Sequence, residues 1–339
     1  MPALPEHASI LLIRLSAMGD VLFALETLAS LKNERPDLRV DFLVEDRFAA
    51  VLRGHTLLED VLEYPRRRLV AAPAAIRRLR RKRYDAVLDL HGNLKSAVHA
   101  RLARTGRRLG YGASIAREGA QRFYTEVVDV PEPRPHRADQ GYHLLRALGL
   151  RAAPAAAALP PLPDAAGPRL EVILHPGTSA FAAFKRWPLP AFGTLAARLC
   201  ARGLGVGVSV GPGEHGLAAE LRVEAPQLHV VDGAALGILG LAAAFRRARV
   251  VVAADTGPLH LAAAADTSVV ALFGPKEPAW YGPRGPEHRV LYHDVPCRPC
   301  RRRTCPSPQC MLGLEVEPVL SEVLELLQRS ARPTDPLPS

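Results

Sequence analysis

The chain passes twice through one pattern, in which short apolar runs alternate with stretches of helical periodicity and an Ala- and Pro-rich segment divides the passes. Ile10–Arg14, Val40–Val44 and Ala86–Leu90 are near-continuously apolar, as strands covered on both faces must be. Such strands belong to parallel sheets, and the intervening helical pattern, such as Val21–Lys32 closed by Pro36, supplies the crossovers. Residues 151–168 interrupt this rhythm with few charges and many Ala and Pro, which predicts a linker. The pattern restarts at Val172–His175 and continues through Val206–Val210, His229–Val231, Val250–Ala253 and Val269–Phe273, with helices expected at Ala191–Ala201 and Leu236–Arg246. Val319, Leu320, Val323, Leu324, Leu326 and Leu327 then share one helical face.

The expected fold is therefore α/β: a Rossmann-like domain over residues 1–150, the linker at 151–168, a second such domain over 169–316 and a closing helix at 317–330. The chain of 339 residues is long enough for two cores. In folds of this kind ligands bind beyond the carboxyl ends of the strands, so the loops there hold the candidate site residues.

Hydrophobic residues at 48% and charged residues at 23% describe a globular chain, not a disordered one. No apolar stretch reaches the roughly 20 residues of a membrane helix, and the first seven residues lack a basic leader, so a cytoplasmic location is expected. The net charge of +10 is uneven: residues 1–150 carry 25 Lys and Arg against 18 Asp and Glu. Nine basic residues fall between Arg66 and Arg83 with no acidic one among them. This segment is either a solvated helix face or a contact for an anionic surface or substrate. No zinc finger, RNA-binding signature or aromatic-interleaved basic patch accompanies it, which argues against nucleic acid.

Four loops after strands combine residues suited to chemistry. In Ser16–Asp20, Gly19 permits a tight turn and Asp20 stands where a helix begins, either as its N-cap or as a general base facing a cleft. His175–Ser179 sets a glycine and two hydroxyls, Thr178 and Ser179, after a strand, with Lys185 downstream as a point charge for a diphosphate. Gly211-Pro212-Gly213-Glu214 places a carboxylate where it would meet sugar or ribose hydroxyls, or forms a surface turn. Asp255-Thr256-Gly257-Pro258-Leu259-His260 opens a helix whose first amides favour a diphosphate. Asp255 is expected to hold that loop or to contact the donor's hydroxyls, and not to touch phosphate, since like charges repel.

Cys297, Cys300, Cys305 and Cys310 form a C-x₂-C-x₄-C-x₄-C cluster, with Cys200 apart from it. The opening pair has zinc-ligand spacing, and the remainder does not follow the common ribbon spacing, so the readings are a structural zinc or free thiols. Arg298, Arg301, Arg302 and Arg303 stand among them to offset thiolate charge.

Taken in order, I-L-L-I-R-L-S-A-M-G-D (10–20), D-L-H-G-N-L-K-S (89–96), A-R-E (116–118), I-L-H-P-G-T (173–178), K-R-W-P (185–188) and D-T-G-P-L-H (255–260) resemble glycosyltransferase family 9, the lipopolysaccharide heptosyltransferases. The resemblance implies the GT-B arrangement of two Rossmann-like domains facing a cleft. It also implies inverting, metal-independent transfer of heptose from ADP-heptose to the inner core of lipopolysaccharide, with no cofactor. It makes Asp20 the catalytic base and Lys185 the lysine facing the donor diphosphate. It assigns Thr178, Ser179, Glu214, Asp255, Thr256, Gly257 and His260 to the donor, and Lys95, Arg117 and Glu118 to an acidic, lipid-linked acceptor at the inner membrane surface. Asp89 and Glu118 stand next in line as bases. The chain departs from the pattern in A-F-A-A-F before Lys185, which is a few residues longer than in the nearest family members. A nicotinamide-dependent dehydrogenase is disfavoured because S-A-M-G-D, and not G-x-G-x-x-G, follows the first strand. The remaining alternatives are a family 9 transferase that uses another nucleotide sugar and a non-catalytic protein that binds a sugar nucleotide or a membrane surface.

Overall fold

The computed structural model describes residues 4–66, 72–131, 134–165, 167–300, 302 and 304–329. The chain divides into two compact units, Met1–Pro161 and Leu162–Ser339.

The first unit holds β1 (Ser9–Ile13), α1 (Met18–Glu34), β2 (Arg39–Glu45), β3 (Asp60–Tyr64), α2 (Ala72–Leu79), β4 (Ala86–Asp89), α3 (Leu94–Leu102), β5 (Arg108–Tyr111), β6 (Glu126–Val128) and α4 (Gln140–Ala147). Its six strands are all parallel and lie in the order β3-β2-β1-β4-β5-β6. Ile10 to Ile13 are fully buried because β1 lies at the centre of this sheet. Leu11, Ile13, Leu43 and Leu62 pack on one face against Leu79 of α2 and Ala100 of α3. On the other face α1 meets α4, and a side chain at Gly141 would collide with the Thr27 hydroxyl, so the glycine sets how closely the two helices approach.

The second unit contains β7 (Val172–His175), α5 (Leu189–Cys200), β8 (Val206–Val210), α6 (His215–Glu224), β9 (His229–Asp232), α7 (Gly233–Arg247), β10 (Val250–Ala254), α8 (Gly257–Ala264), β11 (Ser268–Phe273), α9 (Pro278–Tyr281), β12 (Arg289–Tyr292), α10 (Gln309–Leu312) and α11 (Val316–Arg329). Its parallel order, β12-β11-β10-β7-β8-β9, repeats the topology of the first. Val172, Leu174, Val208 and Val252 pack against Phe192, Leu221 and the buried stripe of α11.

Both units are thus doubly wound, the α/β pattern of a GT-B protein. In each, strand order reverses beside the first strand, between β1 and β4 and again between β7 and β10. A crevice opens at such a reversal because neighbouring crossovers leave on opposite faces. All eight strands expected from the sequence form, and β3, β5, β6 and β12 are additional. Of these, β3, β6 and β12 bury at most one residue each, so they lack the apolar run that marks a central strand. In β5 a glycine interrupts the pattern, and a side chain at Gly110 would strike the Tyr124 ring. α7 is interrupted at Gly237, whose φ is 68°. Among the described residues no helix is long and apolar enough to cross a membrane.

Candidate functional site

The two reversal crevices gather most of the expected residues, one set in each unit. In the first, Asp20 is the third residue of α1, and Ala17 occupies the cap position. The N-cap reading therefore fails for Asp20, whose carboxylate turns to guanidinium groups. Arg14 Nη2 meets Oδ2 at 2.5 Å and Arg137 Nε meets Oδ1 at 2.9 Å. Arg14 follows β1, is 3% exposed, and donates through Nη1 to the Leu90 carbonyl at 2.6 Å. Burial, joined by the neighbouring Arg137, lowers its pKa to about 10. Burial alone would raise the Asp20 carboxyl, but Arg14 and Arg137 outweigh it and hold it well below the usual carboxylate range. Phe23, Thr27 and Tyr111 are among the other residues that line this pocket.

The loop after β4 faces the same crevice. Asp89 is fully buried and uses both oxygens: His91 N and Gly92 N donate to Oδ1 at 2.9 and 3.2 Å, and Ser96 Oγ and the Tyr124 hydroxyl to Oδ2 at 2.7 and 2.8 Å. Four donors make it the organiser of this loop, which removes it as an alternative base. His91 Nδ1 accepts from Leu15 N at 3.3 Å, and burial with the nearby Arg14 lowers its pKa to about 2.

The expected acceptor residues surround the start of α3. Glu118 Oε2 accepts from Leu94 N at 3.2 Å and so ties down the helix N-terminus. Arg117 is exposed, and its backbone N–H bonds the Gly92 carbonyl at 2.8 Å. Lys95 Nζ reaches the buried Glu45 at 2.9 Å and stands 4.4 Å from the centre of the Tyr64 ring. Arg47 takes the other Glu45 oxygen at 2.9 Å.

In the second unit the loops after β7 and β10 meet through Lys185. Its Nζ lies 2.5 Å from Asp255 Oδ2, while His260 Nε2 stands 3.4 Å from Oδ1. Burial pushes the Asp255 carboxyl up, but His260 and Lys185 prevail and bring it to about 2. The extra residues before Lys185 form a 3-10 turn, Ala180–Lys185. The fully buried Trp187 fixes the exit from that turn, donating Nε1 to the Leu314 carbonyl at 2.8 Å and packing edge-on against Phe192.

Thr256 caps α8 by position only, since its hydroxyl turns back to the Ala254 carbonyl at 3.1 Å. No side chain of the cap residue therefore occupies the first amides of α8, the arrangement that favours an anion. Gly257 is the first helical residue, so its conformation is open to any side chain. Thr178 is buried, its hydroxyl accepting from Arg186 Nη2 at 3.5 Å, whereas Ser179 is exposed. Glu214 Oε2 accepts from Gly211 N at 2.8 Å and lies against Gly177, where any Cβ would collide with the carboxylate. At the base of the crevice His175 Nδ1 and Ser209 Oγ are 2.9 Å apart, and burial lowers His175 to about 4.

Arg14, Arg137, His91 and His175 were not among the residues singled out from the sequence. Arg14 had a usable signal, a charge ending an otherwise apolar strand. Arg137 had none, since 117 residues separate it from Asp20.

The four clustered cysteines are free thiols, with Cys310 buried and Cys297 exposed. Burial and the neighbouring Cys297 and Cys305 raise the Cys310 thiol. Among the described residues no three His, Cys, Asp or Glu side chains converge as metal ligands. The zinc reading thus has no geometric support there, and Arg301 and Arg303 lie outside the described residues.

The sequence model of glycosyltransferase family 9 (heptosyltransferase) matches residues 73–311. Lipopolysaccharide heptosyltransferase 1 of Pseudomonas aeruginosa is 31% identical over 334 residues, covering 87% of each chain. The structure of E. coli heptosyltransferase WaaC with ADP superposes with a TM-score of 0.78 at 26% identity, over 94% of this chain and 99% of that one. A family 9 glycosyl transferase from Veillonella parvula reaches a TM-score of 0.81 at 18% identity, over 97% and 100%, which bears on the fold alone. With a family match across most of its length and a relative of this similarity, the chain belongs to glycosyltransferase family 9, the heptosyltransferases.

Proposed function

We propose that this protein transfers a heptose from ADP-heptose to the inner core of lipopolysaccharide, with inversion at the anomeric carbon and without a metal ion. The observation that carries the reading is the seat formed by Lys185, Asp255 and the uncapped start of α8. In this reading the ammonium and the first amides of α8 form a seat for a diphosphate, in a chain whose relatives are lipopolysaccharide heptosyltransferases and include one solved with ADP. The expected domain at residues 169–316, within the second unit, is read as the donor domain, and that at residues 1–150, within the first, as the acceptor domain.

In this reading Asp255 sets Lys185 and His260 in place and leaves the phosphates to the ammonium and the α8 amides. Thr178 and Ser179 add hydroxyl donors, and Glu214 faces hydroxyls of the nucleoside. Asp20 accepts the proton of an acceptor hydroxyl as that oxygen bonds to the anomeric carbon. The bond to the diphosphate breaks on the opposite face, and its electron pair leaves with ADP. Lys185 and the helix amides stabilise the charge that develops there, as oriented donors in a desolvated site can. Lys95 and Arg117 offer cations to an acidic acceptor, and Glu118 fixes the helix that carries Lys95.

The protein is further proposed to work in the cytoplasm against the inner membrane. Arg77, Arg80, Arg81 and Arg83 are exposed, whereas Arg78 is paired with Asp60 and Lys82 with Asp41 and Glu59. Arg67 and Arg68 lie outside the described residues.

Mass spectrometry of truncated lipopolysaccharide incubated with a panel of nucleotide sugars tests the proposal. ADP-heptose should give a single heptose adduct with acceptor-dependent release of ADP. Preferential transfer from another donor would replace the sugar assignment, and no product with any donor would leave a binding protein.

A further inference from the structure

The two clamps on Asp20 are unequal. Arg14 is 3% exposed and tied to the Leu90 carbonyl at the end of the neighbouring strand. Withdrawing it would leave a buried guanidinium without a counter-charge, which is strongly disfavoured. Arg137 comes from the turn before α4, where its side chain is 13% exposed and its Nη1 also donates to Gln140 Oε1 at 2.6 Å. It can exchange one carboxylate for another at lower cost than Arg14 could, because it is the more exposed of the two and an incoming anion would preserve its charge balance. A guanidinium is also suited to this exchange by its planar array of donors for carboxylate or phosphate.

Asp20 as found is a poor base, since both oxygens are engaged. Besides the two arginines, His91 from the β4 loop and Tyr111 from β5 face this cluster. Among the described residues that line the pocket are two arginines and one carboxylate, a lining that suits an anion arriving with the acceptor.

We propose that Arg137 is a positioning residue that passes from Asp20 to an anionic group of the acceptor, a carboxylate or phosphate near the attacking hydroxyl, and so frees Oδ1 of Asp20 to take the proton. The inference rests on Asp20 being the base. It makes the strength of that base depend on the charge of the acceptor: a neutral sugar in the same position would meet an Asp20 still engaged by Arg137.

The test compares truncated lipopolysaccharide acceptor in three forms: untreated, with its carboxylates methyl-esterified, and dephosphorylated. In the wild-type protein kcat should fall roughly tenfold to a hundredfold for one of the two neutralised forms, a part of what general-base catalysis contributes. The form that fails identifies whether a carboxylate or a phosphate takes Arg137. In Arg137→Gln the untreated acceptor and the form that fails in the wild type should differ in kcat by less than about threefold, with KM for the untreated acceptor raised, while Arg137→Lys should keep part of the discrimination. Wild-type kcat indifferent to both neutralisations overturns the inference without requiring any variant to fold. So does an active Arg137→Gln protein that discriminates as the wild type does. Asp20→Asn, assayed alongside, separates the two failures: a wild-type rate there removes the base itself, whereas a large loss there with no acceptor-charge effect removes only the exchange by Arg137.

Discussion

The two units share one topology and each sets a carboxylate at its reversal crevice, yet the carboxylates stand in opposite relations to their cations. Asp20 is held by Arg14 and Arg137, so in the first unit the cations serve the carboxylate. Asp255 holds Lys185 and His260, so in the second the carboxylate serves the cation. The difference follows from where each side chain lies. Asp20 is a quarter exposed on the first turn of a helix, with its cations on either side of it. Asp255 is 10% exposed behind Lys185, beside helix amides that attract the very phosphates a carboxylate repels. One doubly wound frame can thus present a carboxylate or a cation at the same point, depending on which member of the ion pair faces outward.

The strongest way to break this contrast is Asp20→Asn. Transfer should fall by roughly 10²–10⁴-fold, with ADP affinity within about threefold of wild type. Because Arg14 loses its buried counter-charge, the variant should also melt earlier, at a cost of about 3 kcal/mol. This departs from the cap reading, under which Asn would replace Asp with little change in stability. Turnover and calorimetric melting of the variant, with ADP titration, check all three effects. A silent Asn variant would leave Asp20 with no part in catalysis.

Lys185→Ala addresses the other side of the comparison. Loss of one oriented donor at a developing oxyanion should slow transfer roughly 10²–10³-fold. A second effect should follow from Asp255. Its carboxyl lies at about 2 in the folded chain against 3.8 ordinarily, which favours the folded state by about 2 kcal/mol. A depressed carboxyl gives that stability above pH 4 and loses it as pH falls toward 2. Without Lys185 the depression shrinks, so acid unfolding followed by circular dichroism should begin at higher pH in the variant. An unchanged acid transition would mean that His260 alone holds Asp255.

Gly177→Ala sharpens the donor assignment. The added methyl must displace the Glu214 carboxylate, an overpacking that costs about 1–3 kcal/mol. ADP affinity measured by calorimetry should fall if Glu214 faces the nucleoside, and Glu214→Gln should reproduce the loss in affinity with less effect on melting. A normal affinity in both would place the nucleoside contact elsewhere.

The smallest expected effect concerns the basic segment, where the first unit differs from the second in net charge. Reversing Arg77 and Arg81, both exposed, should weaken flotation with anionic vesicles by about 1 kcal/mol per charge. The gap from wild type should close as salt rises, because these charges are screened. Turnover of a delipidated acceptor should hold, and equal vesicle binding by the two proteins would return the segment to a solvated face.

What the sequence alone determined was the frame. Fully buried strands must be apolar on both faces, so β1, β2, β4, β7, β8, β10 and β11 were legible as runs, and strand-then-loop order marked where ligands bind. The chemistry-bearing motifs at 10–20, 89–96, 173–178 and 255–260 were legible for the same reason, each being local to one strand end. Tertiary structure alone decided what those residues touch. That Asp20 is clamped and not a cap depends on Arg137, which joins it from beyond five intervening strands. That Asp89 is an organiser depends on Tyr124, 35 residues away, and that Lys185 reaches Asp255 depends on a turn whose exit is pinned by Trp187 against Leu314. Periodicity reports burial, which is a property of neighbouring residues in the chain. Ion pairs report distance, which only the packing of remote segments sets.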